Sequence, residues 1–110
     1  MSIQFTGRSG RVYTFEALPQ NQTTTSMRTT QAVCIYTVIF GHPGRVYLHH
    51  VLHIVETDDL LNEVQSPRDW DFAKDCTNIC IYEESDKTKR QEIIADLEAN
   101  PRLVGQIHQL

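Results

Sequence analysis

Four histidines fall within twelve residues, His42, His49, His50 and His53, and imidazole is a common metal ligand and general base at neutral pH. The β-rich flanks of residues 45 to 55 predict a strand, which turns His49 and His53 to one face and His50 to the other. Four residues of strand separate His49 from His53 by about 13 Å, too far for one metal ion. Zinc would need His49 together with a residue of a neighbouring strand, and ordinary strand histidines are the plainer reading. Cys76 and Cys80 have a C-x3-C spacing, but Cys80 lies in an apolar run, so a buried thiol is expected before a zinc ligand. Carboxylates crowd the middle of the chain: Glu56, Asp58, Asp59, Glu63, Asp69 and Asp71. They read either as a solvated face or as a docking face for a basic protein, with Trp70 as an anchor at its edge. Lys87, Lys89 and Arg90, in "DKTKR", make a small basic cluster where a helix should begin.

The elements that must position these groups can be read from the pattern. "MSIQFTGRSGRVYTFEAL" predicts a hairpin over 1–18, with "GRSG" as its turn. Residues 19–31 are polar and aperiodic, a loop that also holds a glycosylation-like Asn21-Gln22-Thr23 of no consequence without export. "AVCIYTVIF" (32–40) is a nearly unbroken apolar run, as expected of a central strand covered on both faces, and 45–55 is its antiparallel partner. Thr57 is the expected cap of a helix carrying Leu60, Leu61 and Val64 on its apolar side. Pro67 should begin a short helix that packs Trp70 and Phe72 inward. "TNICIYEE" is a strand, and 86–99 a helix whose Ile93, Ile94 and Leu97 face the sheet until Asn100-Pro101 stops it. The tail, 102–110, is too short to assign, which leaves 32–101 as the core of a single domain. These elements predict an α+β fold: a small, mostly antiparallel sheet with an N-terminal hairpin, flanked by two or three helices.

Length and composition agree with one soluble domain. The chain has 110 residues, 40% hydrophobic and 22% charged, with formal net charge -4. That balance counts against gripping a polyanion. Three cysteines, no leader pattern and no membrane-length apolar run predict a cytoplasmic protein with reduced thiols and no membrane association.

Three stretches in this order resemble the GIY-YIG nuclease superfamily, most closely a group of short bacterial GIY-YIG-like proteins with an added N-terminal hairpin. "FTGRSGRVYTFEALP" looks like that hairpin. "LHIVETDDL" is similar to a motif usually written L-Y-I-G-x-T-x-D-L. "NICIYEESDKTKRQEIIADLEANP" resembles the closing strand and helix, whose usual form includes R-x-x-x-E-x-D-L followed by a proline. Together they span most of residues 4 to 101.

The resemblance implies where a nuclease would keep its chemistry: two tyrosines, an arginine for the phosphate and a glutamate for a divalent metal. Those positions fall on Cys34, His53, Glu63 and Ile94, and the glycine after the second tyrosine falls on Val55. Tyr36, on the same strand face as Cys34, is a partial substitute. Glu98, about 6 Å along the helix from Ile94, is a possible displaced ligand. Glu63 reverses the charge of the arginine; a carboxylate 4 Å from a phosphate costs roughly 4 kcal/mol at an effective dielectric near 20. Ile54, Thr57, Asp59, Leu60, Arg90, Asp96 and Leu97 keep the motif's scaffold.

The resulting expectation is a catalytically degenerate domain that acts as a binding or interaction protein. It needs no cofactor and no metal, and its binding residues are Glu56, Asp58, Asp59, Glu63 and Trp70. Its partner is a basic protein surface, a second copy forming a homodimer included, and not nucleic acid. One alternative is a metal-dependent DNA endonuclease working through Tyr36, His53, Arg90 and Glu98. Another is a metal-binding regulatory protein using the histidines.

Overall fold

In a computed structural model the described residues are 2–19, 30–40, 48–66, 71 and 74–107. The elements run β1 (Ser2–Thr6), β2 (Val12–Pro19), β3 (Ala32–Phe40), β4 (Leu48–Thr57), α1 (Leu60–Gln65), β5 (Asn78–Glu83), α2 (Lys87–Glu98) and β6 (Val104–Ile107). The six strands close into a barrel in the order β1-β2-β5-β3-β4-β6, and every neighbouring pair is antiparallel. The expected sheet flanked by helices is thus overturned. The architecture is a closed β-barrel, with two helices among the described residues.

The correction turns on the unassigned tail. β6 pairs with β4 over Leu48↔Gln106, His49↔Gly105 and His50↔Val104, and with β1 over Ile3↔Ile107 and Gln4↔Gln106. Without it, β1 and β4 would be the two edges of an open sheet. With it, the ring has no edge strand. Gly105 permits the closure. A Cβ there would stand 2.6 Å from both Ile3 Cγ2 and Phe5 Cζ.

Alternation along the strands fills two cores. Ile3, Phe5, Tyr13, Phe15, Ala17, Val33, Ile35 and Cys80 form the interior. Phe5 meets Phe15 edge-on with centroids 5.2 Å apart, and Phe15 lies 5.4 Å from Tyr82. A six-strand ring is narrow enough for such side chains to fill it. Leu52 is an extra residue in β4, since Tyr36 pairs with His53 and Thr37 with Val51. A bulge of this kind bends its strand and aids closure.

The second core lies outside the ring. β4 and β5 flank β3 and run parallel to each other, so the chain between them must return across a face of the sheet. α1 belongs to that crossover. Leu60 and Leu61 pack over Ala32, Cys34, Tyr36, Ile79 and Ile81. β3 is therefore covered on both faces, as its unbroken apolar run predicts. α1 is capped by Asp59, which accepts from Asn62 N at 3.1 Å, and not by the expected Thr57. Thr57 Oγ1 instead accepts from Asp59 N and donates to Asp59 O, both at 3.0 Å, fixing the turn that presents the cap.

α2 crosses one mouth of the barrel. It leaves β5 and delivers the chain to β6, and these strands are three places apart either way round the ring. Its 12 residues span about 18 Å. Ile93 and Leu97 enter the interior cluster, and Ile94 packs partly buried against it. The hairpin turn clasps the same helix: Asp96 accepts from Ser9 N at 2.9 Å, Ser9 Oγ at 2.7 Å and the Tyr13 hydroxyl at 2.9 Å. Gly7 lies so close that a Cβ would collide with the Asp96 carboxylate.

Hydrogen bonds from Ser9 hold the Asp96 carboxyl below its ordinary pKa. A lowered folded-state pKa contributes stability that is present above the unfolded value, near 4, and is lost as pH falls through the folded one. Asp96→Asn is expected to lower the denaturation midpoint at pH 7 and to flatten the acid limb below pH ~4, read by circular dichroism across pH. Gly105→Ala is expected to destabilise the barrel by about 1–3 kcal/mol, the usual cost of overpacking. A midpoint unchanged in urea would show that β6 does not close the ring this tightly.

Candidate functional site

The residues singled out by the sequence fall into four places. Cys34 and Tyr36 lie on the outer face of β3 beneath α1, fully buried. The Tyr36 hydroxyl donates to Glu63 O at 3.2 Å and Glu63 Oε2 at 3.3 Å, so Glu63 belongs to this face too. Burial and the nearby Glu63 carboxylate push the Tyr36 phenol far above its ordinary pKa. His53 is the register partner of Tyr36 on β4.

Ile94 does not join them. It packs against the cluster containing Val33 and Ile35, which point to the opposite face of β3 from Cys34 and Tyr36. The four positions that the resemblance assigns to nuclease chemistry are divided by the barrel wall. The rearranged set is divided as well. His53 and Glu98 do share a groove of about 340 Å³, where β4 parts from the α2–β6 connection. Tyr36 is directed to Glu63 instead, and Arg90 is committed elsewhere.

Arg90 is completely buried in the first turns of α2. Its Nε donates to Glu56 Oε2 at 2.9 Å and its Nη2 to Asp58 Oδ1 at 2.6 Å. Nη1 donates to the carbonyls of Glu84 and Ser85 at 2.8 and 3.1 Å. Four of the five guanidinium N–H groups are thus used within the fold. The sequence sets Arg90 in a small basic cluster at the helix start, and the resemblance counts it as scaffold or as a rearranged nuclease residue. Its seven-residue spacing from Leu97, on the buried side of α2 with Ile93, was the available sign that it points inward.

The acidic residues do converge. Glu56, Asp58, Asp59 and Glu63 line one cleft of about 320 Å³ with Asn62, Ser66 and Lys87. Three of them also hold the fold: Glu56 and Asp58 neutralise Arg90, and Asp59 caps α1. Glu63 is only 3% exposed, so the cleft's outward charge comes mainly from Asp58 and Asp59. Asp71 is exposed and forms a long 3.9 Å pair with Lys74, whereas Trp70, Phe72, Asp69 and His42 lie outside the described residues. So does the short helix expected from Pro67.

A larger cleft, of about 450 Å³, was not foreseen. It runs over the outer faces of β2 and β5 beside α1, with Leu18, Leu60 and Ile81 as apolar walls and Glu16 and Glu83 at its sides. Its walls come from four elements distant in sequence, so no local pattern announces it.

Metal chemistry finds little to use. Among the described residues no group of three His, Cys, Asp or Glu side chains is placed to hold a metal ion. Cys76 belongs to the outer cluster and Cys80 to the interior, so the C-x3-C pair straddles the wall. All three cysteines are buried and none is in a disulfide. Burial pushes Cys80 up to about 12, which keeps it a neutral thiol. His49 is fully buried, with Nδ1 2.9 Å from Thr37 Oγ1.

No protein-family model matches this chain, and neither a curated protein nor a solved structure matches it. Among the described residues no helix is long and apolar enough to cross a membrane.

Removing the Arg90 guanidinium would leave Glu56 and Asp58 facing each other and free two carbonyls. Arg90→Met should destabilise the protein by about 2–4 kcal/mol, below the full cost of a buried broken pair because Asp58 is solvated. Guanidinium-induced unfolding measures it. A loss under ~1 kcal/mol would mean that Arg90 is held for a ligand and not for the fold.

Proposed function

We propose that this protein is a cytoplasmic binding module without nuclease chemistry, and that the acidic cleft beside α1 takes up a basic protein surface. One observation carries the reading. The end of β4 and the start of α1 bring four carboxylates to one concavity, against two cations among the described residues, Arg90 beneath and Lys87 at the side. The surplus is negative, which repels phosphate and attracts lysine and arginine side chains. The division of Cys34, Glu63 and Ile94 between two faces of β3 supports the non-catalytic half of the proposal. Kinship with the GIY-YIG superfamily remains part of the proposal and rests on the three sequence stretches.

Asn62 and Ser66 line the cleft and are exposed, and their side chains hold neither Arg90 nor the Asp59 cap. Asn62→Lys with Ser66→Lys therefore changes the cleft's charge at little risk to folding. Fluorescence anisotropy with a lysine- and arginine-rich peptide should show binding that weakens from 50 to 300 mM salt. The double variant should bind about tenfold more weakly, a change of ~1.4 kcal/mol. A duplex DNA probe should show no binding, and no cleavage with magnesium or manganese. Peptide binding indifferent to the two lysines would sink the docking assignment. Metal-dependent DNA cleavage abolished by Glu98→Ala would sink the non-catalytic one.

A further inference from the structure

We propose that His49 is an acid-sensitive latch: its protonation opens the barrel at the β4–β6 seam while the rest of the ring holds. The geometry comes first. His49 is fully buried and directed into the barrel. Nδ1 meets Thr37 Oγ1 at 2.9 Å, and Nε2 is buried with no hydrogen-bond partner among the described residues. Neutral imidazole tolerates this, because one ring nitrogen then carries no hydrogen. Imidazolium carries two N–H donors, and the one on Nε2 would have no acceptor.

Among the described residues, the groups facing His49 offer nothing to stabilise the added charge. Thr37 and Ile39 face the residue from β3, and Gly105 is its partner on β6. Ile3 and Phe5, from β1, crowd Gly105. Cys80, from β5, reaches Thr37 Oγ1 through its sulfur at 3.9 Å and is neutral. None of these groups is charged. On β4 itself, His50 is paired with Val38 on the alternate face. Burial accordingly lowers the His49 pKa.

The place matters as much as the residue. Among the described residues, His49 is the middle of the three register pairs that join β4 to β6. Among the same described residues β6 has 4 residues and two further pairs on its other side, with β1. β3, by contrast, holds nine pairs with β4 and six with β5. An uncompensated charge at His49 is relieved at least cost by parting β6. Water then reaches Nε2, and β1 and β4 are left as bare edges, the kind of surface to which another strand adds.

The direction with pH follows from linkage. The open state binds the proton with the ordinary affinity of histidine, and the closed state binds it less well. The closed seam is thus fully stable above pH ~6.5 and weakens as pH falls below it.

Amide hydrogen exchange by NMR, corrected for intrinsic rates, tests this on the whole chain at pH 7.5 and 5.0. Protection at His50, Val104 and Gly105 should fall by about tenfold or more at the lower pH, with Cys34, Ile35 and Ile81 changing far less. His49→Asn and His49→Phe should each abolish the difference between seam and β3–β5. Equal loss across both regions overturns the latch. So does a seam response that survives both His49 variants or vanishes in His50→Gln, His53→Gln or His108→Gln. If neither His49 variant folds, the wild-type ring decides: a His49 imidazole that titrates near pH 6.5 while the seam stays protected also overturns it.

Discussion

Closure of the hydrogen-bonded ring is the constraint on which the rest of this structure depends. Six strands satisfy one another's backbone groups only if β6 stands between β4 and β1. That strand is four residues long. Its place is secured by what it lacks, a side chain at Gly105, because Ile3 and Phe5 already occupy the space. Once the ring is closed, the interior is a fixed volume. Phe5, Phe15, Val33, Ile35 and the two α2 residues Ile93 and Leu97 must fill it. The helix's position follows from the same closure. Strands on opposite sides of a six-membered ring can be joined across its mouth, and a 12-residue helix is about long enough.

Two polar anchors hold that helix, one near each end, and both are charge-assisted. Arg90 ties its start to the end of β4 through Glu56 and Asp58 and to the incoming loop through two carbonyls. Asp96 ties its last turns to the hairpin through Ser9 and Tyr13. Such contacts are directional in a way that apolar contact is not. Ile93 and Leu97 would be content at several rotations of the helix, but Arg90 and Asp96 fix one. A residue that looks like a phosphate-binding cation in the sequence is here a fastener. The acidic residues near it have their first use in satisfying it, and only their remaining charge faces outward.

This double use shapes the functional reading. A nuclease would need its cation free to meet phosphate and its carboxylate free to hold metal. In this chain the cation is buried, and Ile94 stands across the wall from Glu63. A binding surface needs much less: net charge of one sign and a concave outline. The cleft of Glu56, Asp58, Asp59 and Glu63 supplies both.

The sequence alone determined the elements that carry their own signature. "AVCIYTVIF" matches β3 residue for residue because an apolar run buried on both faces is a local statement. The hairpin, β5 and α2 were legible through alternation, turn residues, the helical spacing of Ile93 and Leu97 and the Asn100-Pro101 stop. The clustering of the four carboxylates was legible too, since all lie within eight residues at one strand–helix junction. Tertiary structure decided the rest. Residues 104–107, within the unassigned tail, have no pattern strong enough to declare a strand; they become one because two strands elsewhere need a partner. Closure then decided which face each helix covers, and so set Ile94 against the interior cluster and Glu63 against the outer one. It also turned Arg90 from a surface cation into a buried one. The physical reason is common to all three. Periodicity records whether a side chain is buried, but only the three-dimensional path of the chain records against what.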